Sequence, residues 1–221
     1  MMLQAGDAEM NARKKTVMWA LLTMAPFLLV GCAAAPPATG FLSDYSRLEQ
    51  QGSSRLVYID KAAARNYDRF IVDPVKVHFH AESKGYKKRA EGKWTVDEIN
   101  DITNYAHEAL VKAIREGDYE VVYRPAPQVA RIRIAITDLK ESTPVLNVIP
   151  QTKLTGLGLG AASMEAELID SVSGQQLAAV VQSQQGNRLS FDGLSKWGDA
   201  RGVIDDWARR FRARLDEIHG R

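Results

Sequence analysis

His78-Phe79-His80 puts two imidazoles on one face of an extended segment, a spacing that can hold a metal ion. A complete site needs further ligands. His107 and His219 fall in separate helical stretches, and Cys32 is the only cysteine. No metal centre and no cofactor are therefore expected. His107-Glu108 begins like a zinc-protease helix motif, but Val111 stands where the second histidine must be. Gly156-Leu157-Gly158-Leu159-Gly160 could suggest a phosphate cradle. Ala161-Ala162 follows where Lys-Ser or Lys-Thr is needed, and the run opens a strand rather than a helix. It reads as a pliable connection. Glu165 and Glu167 share the outer face of a strand. Carboxylates that cleave glycosides face each other across a cleft, so this pair is expected to be solvated. There is no Gly-x-Ser-x-Gly elbow and no Ser-x-x-Lys motif. The expectation is a protein that is not an enzyme.

The best candidate contact surface is a basic, aromatic stretch read as a loop: Lys84, Tyr86, Lys87, Lys88, Arg89, Lys93 and Trp94. Such a mixture suits anionic headgroups or an acidic protein patch, although Glu82 and Glu91 dilute it and favour a simply solvated loop.

The elements that must position these residues follow from periodicity. Leu56-Val57-Tyr58-Ile59 and Phe70 to His80 read as strands, the second interrupted by Asp73-Pro74 and so placed at an edge or bulge. Thr95-Val96-Asp97-Glu98 is a capping box that starts a helix to Glu116, with Gly117 expected as its left-handed C-terminal residue. Tyr119 to Tyr123 and Arg131 to Leu139 read as strands. Pro144 to Pro150 reads as irregular or as a short edge segment. Ser163 to Asp170 and Gln175 to Gln184 form a hairpin, turning at Ser173-Gly174. Trp197, Ala200, Ile204, Trp207, Phe211, Leu215 and Ile218 advance by threes and fours along a last helix from about Leu194. The sum is a single α+β domain: a mixed or antiparallel sheet with two main helices packed on one face.

The N-terminus reads differently. Arg13, Lys14 and Lys15 precede an apolar run from Val17 to Val30, broken by Pro26 and ending at Gly31-Cys32. The run is shorter than the roughly 20 residues that span a bilayer, and its flanks are those of an export signal. Met10 starts a more ordinary signal than Met1 does. Ala33 to Gly40 cannot pack a core and reads as a tether, after which Phe41 to Tyr45 is expected to form an arm packed on the domain, with a membrane-proximal contact as the alternative. The expected division is 1–31 signal, 32–40 lipidated cysteine and tether, and 41–221 domain. The chain has 29 Lys+Arg against 27 Asp+Glu, a net charge of +2. Removing the signal takes three basic and two acidic residues, so the remainder is nearly neutral and a nucleic-acid partner is not implied.

Leu29-Val30-Gly31-Cys32 resembles the lipobox of bacterial lipoproteins. The resemblance implies cleavage between Gly31 and Cys32 and acylation of the Cys32 thiol. Ala33 in place of an inner-membrane retention Asp implies the outer membrane, with the anchor in its inner leaflet and the domain in the periplasm. Three further stretches, Gly40-Phe41-Leu42-Ser43-Asp44-Tyr45, Tyr67-Asp68-Arg69-Phe70-Ile71-Val72-Asp73-Pro74-Val75 and Arg131-Ile132-Arg133-Ile134-Ala135-Ile136-Thr137-Asp138, resemble proteobacterial lipoproteins grouped as domain of unknown function 3313. That family carries no established activity, so no site residues transfer. The layout and the hairpin are more distantly similar to accessory lipoproteins that regulate penicillin-binding proteins, at the level of fold alone.

The expected role is a non-catalytic binding or scaffolding module, anchored in lipid through Cys32 and meeting an envelope protein or a peptidoglycan-associated partner. Two other classes stay open. Convergent titratable groups in a cleft would favour a small cell-wall hydrolase. A closed apolar cavity would favour a carrier of a small amphiphile.

Overall fold

The computed structural model describes residues 37–147, 159–187 and 195–221. The lipobox, including Gly31 and Cys32, and Gly156 to Gly158 lie outside them.

The sheet is built around a twelve-residue strand. It has eight strands: β1 (Glu49–Gln50), β2 (Arg55–Ile59), β3 (Arg69–Val72), β4 (Lys76–Val77), β5 (Glu120–Val121), β6 (Val129–Lys140), β7 (Ala161–Asp170) and β8 (Gln176–Gln185). Their order is β1-β2-β8-β7-β6-β3-β5, with β4 also paired to β6. β6, β7, β8, β2 and β1 run antiparallel in turn, while β3 and β4 lie parallel to β6. The sheet is therefore mixed. β3 and β4 behave as one strand interrupted at Asp73-Pro74. Proline cannot donate to the ladder, and pairing with β6 resumes at Lys76.

The two long helices are α3 (Val96–Glu116) and α5 (Gly198–His219); α1 (Lys61–Ala64), α2 (Lys84–Ala90) and α4 (Pro144–Asn147) are short. Both halves of the capping box at Thr95 and Glu98 are present. Gly117 does not take the left-handed conformation expected of it. Its φ is −92°, and Asp118 makes the turn instead at φ 58°. Asp is among the few residues that tolerate that region.

Alternation assigns each strand two faces. Ile132 and Ile136 of β6, with Met164 and Leu168 of β7, meet Ile102, Ala106, Leu110, Ile204, Trp207 and Leu215 of the two helices. Both long helices thus cover one face. On the opposite face Leu42, Phe41, Tyr45 and Leu48 pack against Ala179, Val181 and Leu56. Among the described residues no helix is long and apolar enough to cross a membrane.

Candidate binding surfaces

Glu165 and Glu167 are not solvated. Their exposures are 0% and 2%. They occupy the outer face of β7, as alternation requires, but the N-terminal arm lies across that face. The Thr39 backbone N–H donates to Glu165 Oε1 at 2.6 Å, and the Tyr45 hydroxyl donates to Glu165 Oε2. Glu167 Oε2 accepts from the Ser43 N–H at 2.8 Å, the Ser43 hydroxyl at 2.7 Å and the Gln176 amide at 2.9 Å. Its other oxygen accepts from Arg133 on β6 at 2.5 Å. Two carboxylates can be buried here because donors converge on both.

The arm's sequence explains its shape. Gly40 sits at φ 87°, a region that disfavours a Cβ. Tyr45 folds back so that its hydroxyl oxygen accepts from the N–H groups of Gly40 at 2.9 Å and Leu42 at 3.0 Å. Burial, with the hydrogen bond to Glu165, raises the Tyr45 pKa above its ordinary value, so the phenol stays a donor. Gln176 also donates to the Asp44 carbonyl at 3.0 Å, and the Arg133 guanidinium lies 5.1 Å over the Phe41 ring. We call this set of bonds the clasp.

The stretch expected as a basic loop is mostly helix. Ser83 caps α2 by accepting from the Tyr86 N–H at 3.0 Å. The Gly85 N–H donates to Asp138 at 2.8 Å, which seats the helix on the end of β6. Trp94 is not on the surface. It is 4% exposed, stacked edge-on against Trp197 at 4.9 Å, and its indole N–H donates to Glu141 at 2.6 Å. Lys88 also turns inward to Glu141, at 3.2 Å, and Lys196 reaches the same carboxylate at 3.3 Å. Burial works to raise the Glu141 pKa, but the bonds from Trp94, Lys88 and Lys196 outweigh it and hold the group below the ordinary carboxylate value. Lys84, Tyr86, Lys87, Arg89 and Lys93 remain exposed, Tyr86 at 48%. Glu91 pairs with Lys93 at 2.6 Å.

The histidines do not converge. His80 accepts from the Glu82 N–H, His107 lies against the Asp73 carbonyl and His219 against the Leu215 carbonyl. Among the described residues no group of three His, Cys, Asp or Glu is placed to hold a metal ion.

A feature that residue spacing did not indicate lies on the helix face. Seven strands in the sheet path span six spacings of about 4.8 Å, or about 29 Å. Two helices side by side cover only about 20 Å. The uncovered part opens into a groove that runs from the β8–β2 end of the sheet beneath α5 towards Ile132 and Ile134 of β6 and Ala106 and Leu110 of α3. It encloses about 190 Å³, lined by Val57, Ile59, Ala178, Val180, Trp207 and Phe211 among others. Arg55 stands on its strand side, with Arg210 and Arg214 on its helix side.

No curated protein sequence matches the chain. The chain is distantly similar to solved structures. PelC from Paraburkholderia phytofirmans, a dodecamer, is 15% identical with a TM-score of 0.42; the match covers 75% of this chain and 96% of that one. A predicted lipoprotein of Caulobacter crescentus CB15 is 10% identical with a TM-score of 0.31, covering 73% of this chain and 96% of that one. The decisive match is to a family model, described as protein of unknown function (DUF3313), over residues 37–211, a span that begins just before the clasp and ends within α5. The chain belongs to the DUF3313 family of proteins of unknown function.

Proposed function

We propose that this is a lipid-anchored envelope protein that works by contact rather than by turnover. Cleavage after Gly31 leaves Cys32 as the acylated N-terminus, held in the inner leaflet of the outer membrane with the domain in the periplasm. The observation that supports this reading best is the clasp. Seven residues beyond Cys32 the chain is already bonded to the sheet, at Thr39. An extended peptide advances at most about 3.5 Å per residue, so that tether reaches about 25 Å. The domain then meets only what lies near its membrane. The clasp also occupies the two carboxylates that most resembled a catalytic pair.

The contact surface is the outer side of α2 and the turn after it: Lys84, Tyr86, Lys87, Arg89 and Lys93. Its partner carries acidic groups, as an envelope protein or a peptidoglycan-associated protein can. Lys88 and Trp94 belong instead to the Glu141 network and serve folding. Reversing Lys84, Lys87 and Arg89 together to Glu should leave the melting transition in place. It should reduce capture of envelope partners from membranes, most strongly at low salt, where exposed charges act over longer range. Undiminished capture by the reversed variant would place the contact surface elsewhere.

A further inference from the structure

We infer that the groove between α5 and the β8–β2 end of the sheet binds a single-chain anionic amphiphile. Its chain lies in the apolar cavity and its carboxylate or phosphate meets Arg55, Arg210 and Arg214. This site lies on the sheet face opposite the clasp and is independent of the α2 surface.

The cavity has the size and character for part of an alkyl chain. Dry cavities of about 150 Å³ lined by aliphatic and aromatic side chains accept a benzene-sized apolar group. Here about 190 Å³ is lined almost wholly by apolar groups. Sites for whole drug-sized ligands run to about 300–1,000 Å³. The groove therefore suits a segment of chain whose polar end stays at the mouth. Direct partners across the sheet, Val57 with Val180 and Ile59 with Ala178, point to the same side and make a continuous apolar wall. Trp207 and Phe211 of α5 make the facing wall.

The charge at the mouth selects the head. Asp206 is shared by Arg209 and Arg210, and Glu217 by Lys61 and Arg214. Two carboxylates thus serve four cations. Arg55 has a neutral partner, the Gln51 side chain at 3.0 Å. Glu167 borders the cavity from beneath, but its carboxylate is bonded to the arm and to Arg133. The excess is positive, with cations on both walls, which favours an anionic head over a neutral or cationic one. Arginine also fits carboxylate and phosphate oxygens in a paired geometry.

The test uses the chain from residue 32, a compact unit by itself, carrying Cys32→Ala so that no acyl chain of its own competes. Laurate, lauroyl lysophosphatidate, dodecyltrimethylammonium and dodecyl maltoside are titrated below their micelle concentrations by calorimetry. One or both anions should bind saturably at one per chain, at least about tenfold tighter than the cationic and neutral probes. Comparing the two anions tells a fatty acid from a phospholipid source. Laurate brominated along its chain should quench tryptophan fluorescence, and most of that quenching should vanish in Trp207→Phe, which keeps Trp94 and Trp197. Val180→Trp should block binding, while charge reversal on α2 should leave it unchanged. Equal affinity for all four probes would overturn the inference. So would quenching that persists in Trp207→Phe, or self-association that buries the groove and excludes every probe.

Discussion

Glu167 takes four donors, from Ser43 twice, Gln176 and Arg133. Removing one partner of such a set leaves the others buried without bonds, at about 1–3 kcal/mol. Glu167→Ala should therefore cost at least that much in denaturant melts, and it should expose the Gly40–Tyr45 arm to added protease before the rest of the domain unfolds. A loss within the ordinary surface range of about 0.5 kcal/mol, with the arm still protected, would mean that the clasp does not hold. The residue types around β7 gave the right face for both glutamates but the wrong environment. Alternation is local, whereas the cover comes from Tyr45, 120 residues earlier than Glu165. A carboxylate's burial cannot be read from its own strand when the group that encloses it arrives from a distant segment.

At the scale of elements, regular patterns were legible and short ones were not. β6 and both long helices follow from periodicity because each has a full face to bury, β2 from a short apolar run, and β7 and β8 from the turn signal between them. α2 has only seven residues, includes Gly85 and has Lys84, Lys87 and Lys88 at i, i+3 and i+4 on one face, so its sequence shows no apolar stripe. Its helical form comes from the Ser83 cap and from docking on Asp138 and Glu141. The β7–β8 hairpin was legible at its turn. Asp170 Oδ1 accepts from the N–H groups of Val172 at 3.0 Å and Ser173 at 2.6 Å, and Gly174 turns the chain at φ 75°. Nothing lies within 4 Å of a Cβ added at Gly174, so a substitution there tests backbone conformation alone. Gly174→Val should destabilise by about 1–3 kcal/mol, since a β-branched residue resists positive φ. Gly174→Asn should cost much less, because Asn tolerates the left-handed region. Thermal melts of the two variants check this. Equal losses would show that φ is not the constraint.

For the whole molecule, a mixed sheet with two helices on one face leaves two kinds of surface. The opposite face is crossed by the arm, which packs on β8 and β2 and buries the two glutamates of β7. The helix face is closed only in part, which leaves the groove beside α5. Sheet width against helix width decides that outcome, and no single residue announces it. What the arm is attached to decides where the domain works. The most direct test is the intact mass of the protein extracted from membranes, native and with Cys32→Ala. The native protein should begin at Cys32 and carry acyl chains, and the variant should accumulate as uncut precursor. A native N-terminus elsewhere, or a Cys32→Ala protein that is still cleaved and held by acyl chains, would rule out the lipid anchor.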